Sequence, residues 1–302
     1  MSGDLVGPLA ALGTAVCWVF SALAFAAAGR RIGSLTVNLI RLPVAFALLA
    51  AWGAASRGHP LPDDASAHAW LWLSISGLVG FSFGDLCLFR AFVVLGPRLS
   101  SLVMSLAPPI AALTGWLLLG ETLAPRDLLG IGLTVCGIGW AALEPHGPAR
   151  AAEARVPAGV SPLGLLLALG GAVGQGGGLV LSKLGLGSYD PFSGTQIRVI
   201  AGFVGFAALV AALGYWRRVP AALSDRRALG LTGLGALFGP FLGVSLSLLA
   251  VQHTASGIAA SIMATSPILI IPAVVLFQRE RVGIAGVGGA VLAVAGVALL
   301  FQ

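Results

Sequence analysis

Asp85 is the one carboxylate near the middle of an apolar run in this 302-residue chain. A carboxylate in lipid is costly and faces a partner or a wet cavity. It is therefore either half of an ion pair or a group that exchanges protons. Arg90, Arg41 and Arg198 also stand inside apolar runs, nearer their ends. Such cations either snorkel to the headgroups or line a cavity. Trp18 and Gln175 offer an aromatic wall and an amide, and Trp116 offers a second aromatic face. Pro108, Pro109, Pro267 and Pro272 free backbone carbonyls at mid-run, which is tolerated only where protein or a wet cavity satisfies them. Both charge signs with an amide suit a zwitterionic or weakly anionic metabolite, an amino acid for example, better than a bare cation. The expected substrate site thus comprises Trp18, Gln175, Asp85, Arg90, Trp116, Pro108 and Pro267, with Arg41 and Arg198 farther out toward opposite membrane faces. Asp85 is the proton-coupling candidate.

The elements that must position these residues are membrane helices. Hydrophobic residues make up 58% of the chain and charged ones 9%, against about 25% charged in soluble domains. About 20 apolar residues span the hydrocarbon. Ten such runs are predicted, near 5–28, 35–55, 70–95, 100–119, 128–143, 163–184, 192–215, 229–251, 257–277 and 282–301. The net charge of +6 comes from arginines scattered singly or in pairs through the loops, a topology signal and not a nucleic-acid face. Cys17, Cys87 and Cys136 each lie in an apolar run, which reads as packing rather than a disulfide framework or metal site. No cleavable signal is evident before Leu5. Enzyme motifs are lacking, and no cofactor is expected. Lys183, the one lysine, is expected to snorkel, and Glu121 and Glu280 to act as caps or ion-pair partners.

The chain contains its central stretch twice. At an offset of 159, Gly80 falls on Gly239, Gly84 on Gly243, Met104 on Met263, Pro108 on Pro267 and Glu121 on Glu280. Only two methionines follow the initiator and only four glutamates exist, so matched pairs of both make the repeat real. The first two helices match at 157 instead, placing Gln175 opposite Trp18 and Arg198 opposite Arg41. The expected organisation is a first five-helix repeat over 1–143, a linker over 144–160 and a second repeat over 161–302. Five helices per half is an odd number, so the halves are inverted in the membrane, the plan of many carriers with a central cavity.

The segments LFRAF (88–92), SSLVMSLAP (100–108) and LLLGE (117–121), with Gly130 and Gly137, resemble the EamA-type branch of the drug/metabolite transporter superfamily. Arg41 and Arg198 match that family's arginine early in the second helix of each repeat. The resemblance implies ten helices, a cavity lined by the first four of each half, peripheral fifth and tenth helices, and transport of a small metabolite, often export. Location in the inner (plasma) membrane as a multi-pass protein follows. The expected partners are a small-molecule substrate, the bilayer and protons as coupling ion, with no nucleic acid. The departures are Gln278–Arg281, lacking glycine before Glu280, and Asp85 and Arg90, opposite Val244 and Leu249. The alternatives are an intramembrane enzyme acting on a lipid-linked substrate and lipophilic drug efflux. The latter is disfavoured because the first helix lacks the carboxylate that small cationic-drug antiporters use. On orientation two expectations disagree. The resemblance implies cytoplasmic termini, whereas loop charges favour termini outside, with eleven cations on the opposite side against three.

Overall fold

The computed structural model describes residues 5–94, 100, 103–142, 161–212, 214, 216, 223–266, 268–269 and 284–301. Among them every regular element is helical. The first half supplies α1 (Val6–Ile32), α2 (Ser34–Arg57), α3 (Ala67–Gly77), α4 (Asp85–Val94), α5 (Ala107–Leu119) and α6 (Pro125–Ala142). The second supplies α7 (Pro162–Leu186), α8 (Pro191–Ala212), α9 (Arg226–Ala236), α10 (Val244–His253), α11 (Ser256–Met263) and α12 (Ile284–Leu300). Six spans are long and apolar enough to cross a membrane: Val6–Ile32, Ser34–Arg57, Ala67–Leu88, Pro162–Leu186, Pro191–Ala212 and Arg226–His253. Ala107–Leu119 and Ala285–Leu300 are shorter apolar helices. The expected linker, parts of the fourth and ninth runs, Pro267, Pro272 and Glu280 lie outside the described residues.

The third run, expected as one helix, is wound differently at its middle. Leu78–Gly84 is a π-helical segment between α3 and α4, and Leu237–Gly243 is its counterpart between α9 and α10. The two agree residue for residue at the 159 offset, and so do the bounds of α3 and α9, of α4 and α10, and the starts of α6 and α12. A π turn widens the ladder by one residue and often marks a functional position. The breaks expected at Pro108–Pro109 are also present. Ser105–Leu106 form a turn before α5, and Ala264–Thr265 form the equivalent turn after α11. Both prolines then fall in the first helical turn of α5, where their missing N–H groups cost nothing.

Each half's first helix packs on the other half's third. Along α1, Phe25 lies against Gly235, Ser21 against Gly239, Trp18 against Gly243 and Gly7 against Thr254. Along α7, Gly185 lies against Leu73, Gly178 against Gly80, Gly174 against Gly84 and Gly170 against Cys87. Numbers rise on one helix as they fall on the other, so both pairs are antiparallel. The first and third helices of an up-down half run the same way. An antiparallel pairing between one half's first helix and the other's third therefore means that the halves are inverted. Antiparallel α6 and α12 agree, with Gly130 against Gly296 and Gly137 against Gly289.

Lipid is as apolar as leucine, so these crossings are held by close backbone approach and interhelical hydrogen bonds. A Cβ on Gly174 would stand 2.5 Å from the Gly84 Cα, and nothing larger than glycine fits there. Ser76 Oγ donates to Gly178 O at 2.6 Å, and Ser21 Oγ donates to Gly235 O at 3.1 Å. These are the same contact in the two halves, with the hydroxyl moved to the opposite partner. Thr14 Oγ1 donates to Gly243 O at 3.2 Å, supplying a partner at the end of the second π segment.

Candidate functional site

Asp85 begins α4 directly after the first π segment, and its carboxylate is bonded by Arg41 Nη2 from α2. Their side chains are 12% and 15% exposed. Arg198, from α8, is buried at 6%. Its backbone presses on Gly77, and its guanidinium occupies the space left by the missing side chain of Gly80. Phe81, one turn before Asp85, joins the group. The Arg198 guanidinium carbon lies 5.3 Å and that of Arg41 5.9 Å from its ring centroid, while Arg41 also covers Phe25 at 5.4 Å. Cation–π contacts contribute about 0.5–2 kcal/mol each, most when desolvated.

The two arginines were expected farther out, serving opposite ends of the path. The structure instead brings both to one aromatic ring. Each stands seven residues inside its helix, about 10 Å of rise. Entering from opposite faces of a core about 30 Å thick, they leave a gap that two arginine side chains bridge. Two guanidinium groups and one carboxylate leave one surplus positive charge. Among the described residues no carboxylate lies within ion-pair distance of Arg198, and its Nε is buried without a hydrogen-bond partner.

The other expected site residues divide. Gln175 is exposed although it lies mid-helix on α7. The outward positions of that helix are Leu166, Leu169 and Val173. Gln175 lies about 200° round from Val173, beside buried Ala168, Gly171, Leu179 and Ser182, so it opens inward. Trp18 is half-buried, with its indole against Gly243 at the end of the second π segment. Pro108 is buried in the first turn of α5. Arg90 and Trp116 do not join the group. Arg90 is exposed, five residues and about 140° round the helix from Asp85. Trp116 is 58% exposed and lines a separate groove of about 480 Å³ with Pro109, Leu113, Glu121 and Leu128. Pro267 lies outside the described residues. Phe81 and Phe25 are additions that the sequence signalled only by one-turn spacing from Asp85 in the case of Phe81.

A polar layer lies at the face that carries both termini, where Gly7 meets Thr254 and Leu300 meets Gly130. Arg57 Nη1 donates to Asp64 Oδ2 at 2.8 Å, and the Tyr189 hydroxyl donates to Asp64 Oδ1 at 2.6 Å. That hydroxyl, then the arginine, holds the Asp64 carboxyl below the usual carboxylate range. Burial and the neighbouring Asp64 push the Tyr189 phenol up to about 12, so it remains a donor at any working pH. Gln252 Nε2 donates to Gly187 O at 2.8 Å, and Gln196 Nε2 donates to Pro60 O at 2.8 Å. Lys183, expected to snorkel, instead pairs with Glu121 at 2.6 Å. Left-handed Gly120 ends α5 and folds Glu121 back, its N–H donating to Gly115 O at 3.2 Å.

Comparison with known proteins places this architecture. Residues 5–143 and 162–302 each match the EamA-like transporter family model. Threonine/homoserine exporter RhtA of Escherichia coli (strain K12) is 32% identical over 133 residues, 44% of this chain and 43% of the exporter. The proteins of that name from Escherichia coli O6:H1 and O157:H7 match with the same figures. The chain thus aligns with less than half the length of these curated relatives. A crystal structure of a protein with 18% identity superposes with a TM-score of 0.72 over 99% of this chain and 96% of the other, a likeness of fold. With both halves matched, the chain belongs to the EamA-like transporter family.

Proposed function

We propose that the protein is a secondary carrier that exports a small amino acid by alternating access. The observation that carries this reading is the Arg41–Asp85–Arg198 group around Phe81, placed where the inverted halves meet beside a π-helical break. Carrier sites form at such repeat interfaces, next to interrupted helices. The surplus positive charge at Arg198 suits one carboxylate, and the inward amide of Gln175 and the indole of Trp18 are available to the rest of a small polar molecule. The partial likeness to threonine/homoserine exporters makes threonine and homoserine the first substrates to test. Protons are the proposed coupling ion, with Asp85 as the exchanging group.

The test is counterflow in proteoliposomes with labelled threonine and homoserine, followed across pH 5–8.5. The wild type is expected to show saturable, pH-dependent exchange. Asp85→Asn is expected to abolish the pH dependence, because the substituted amide cannot take up or release a proton in this range. An unchanged rate and pH profile in Asp85→Asn would make this residue purely structural and remove the coupling proposal.

We propose further that both termini lie outside, following the loop charges. Arg226, exposed at the start of α9, would then face the cytoplasm. An Arg226→Cys variant in a cysteine-free background is expected to react with an impermeant maleimide in inverted vesicles and not in intact cells. Ready labelling of intact cells reverses the orientation.

A further inference from the structure

Of the two glutamates of the duplication, Glu121 and Glu280, the structure describes the first. The Glu121 carboxylate, 12% exposed, takes hydrogen bonds from three donors in the other half. Lys183 Nζ lies 2.6 Å from Oε1, the Ser256 hydroxyl donates to Oε1 at 3.0 Å, and the Ser256 backbone N–H donates to Oε2 at 2.8 Å. Lys183 also donates to Thr254 O at 2.7 Å, tying in the end of α10. Glycine at position 115 leaves room for the carboxylate in this place, since a Cβ there would push Oε2 aside. One side chain thus joins the end of α5 to α7, α10 and α11, all across the boundary between halves.

The positions equivalent to these partners are legible in the sequence. Opposite Lys183 stands Ala26, opposite Ser256 stands Pro97, and opposite Gly115 stands Val274. Alanine has no side-chain donor. Proline has neither a hydroxyl nor a backbone N–H, and valine brings the Cβ that glycine avoids. Each residue that holds Glu121 thus has a repeat-equivalent of a type that cannot play the same part.

We infer that Glu121, Lys183 and Ser256 form a latch that closes the carrier at the face bearing both termini. On the opposite face the described residues show a different and more exposed pair between the halves, Arg31–Asp225 at 2.8 Å. Two symmetric halves would make the inward-open and outward-open states nearly equal in energy. Contacts made in one state alone shift that balance by their differential free energy. The resting carrier is closed at the termini face and opens there only when the Lys183–Glu121 pair parts. This adds to the alternating-access reading of the proposed function and does not depend on the substrate, so a failed counterflow assay leaves it standing.

The experiment reads access without substrate. Gln175→Cys, on the inner side of α7, is introduced with Cys17, Cys87 and Cys136 changed to serine. An impermeant maleimide is then applied from the termini side, identified by an N-terminal tag. Lys183→Met is expected to raise the labelling rate from that side about tenfold, a change in open population within the usual range for two-state carriers. Lys183→Arg, which keeps the charge, is expected to stay near wild type and shows that the site tolerates substitution. Labelling of Lys183→Met at the wild-type rate overturns the inference, as does an equal rise in both variants.

Discussion

Replacing Arg198 with glutamine is expected to weaken binding of a carboxylate substrate by at least about 30-fold. Losing one partner of a buried, hydrogen-bonded charge pair costs about 2–5 kcal/mol, and each 1.4 kcal/mol is about tenfold. The surplus charge of the Arg41–Asp85–Arg198 group resides on Arg198, since Arg41 is engaged by Asp85. Arg198→Gln leaves an electrically neutral group, in which the substrate carboxylate would have to displace Asp85 from Arg41. Arg198→Lys keeps the charge but not the planar fork that receives a carboxylate through two bonds, and should fall between. Calorimetric titration with threonine and homoserine, beside counterflow rates, measures both. Wild-type affinity in Arg198→Gln removes Arg198 from the site. A loss confined to thermal stability assigns it to packing against Gly77 and Phe81.

The second large effect is structural. Gly174→Leu is expected to prevent assembly of the halves. A Cβ at this position meets the Cα of Gly84 at 2.5 Å, its backbone N at 3.1 Å and the Val79 carbonyl at 3.0 Å. All three are backbone atoms of the π segment, so no side chain can rotate away. Overpacking commonly costs about 1–3 kcal/mol, and a leucine against backbone exceeds that range. The π segment carrying Phe81 would move with it, and Asp85 directly after it. Gly177→Leu is the control, because nothing lies within 4 Å of a Cβ there. Detergent-purified Gly177→Leu should elute as a single species with a wild-type melting curve, and Gly174→Leu should not. Equal behaviour of the two would mean that the α7 crossing tolerates separation.

Much of the architecture was legible because duplication writes itself in rare residues. The matches of Met104 with Met263 and Glu121 with Glu280 carried the offset that the element bounds reproduce. What the sequence concealed is which way each side chain points. In water, an amphipathic period reveals the buried face of a helix. In lipid both faces are apolar, so Trp116 on α5 gave no sign that it turns outward, nor Gln175 on α7 that it turns inward. The π segments were hidden for a related reason, since one added residue in an apolar run changes no composition. The meeting of Arg41 with Arg198 depended on depth from both membrane faces. That follows from the inverted repeat, but only once the helix starts at Ser34 and Pro191 are known. Lys183 read as an interfacial cation because its partner Glu121 is 62 residues away in the other half.

The exchange of first helices between halves bears on how the chain is made. α1 finds its glycine-lined groove on α9 and α10, which leave the ribosome roughly 200 residues later. At about 5–20 residues per second, the first helix waits on the order of ten to forty seconds in the membrane with Trp18 and Ser21 unmatched. α7, by contrast, emerges after α3 and α4 and can dock at once, setting Gly174 on Gly84. Biogenesis is therefore asymmetric even though the finished halves are alike: one interface zips as the chain is inserted, and the other closes only when the second half has arrived.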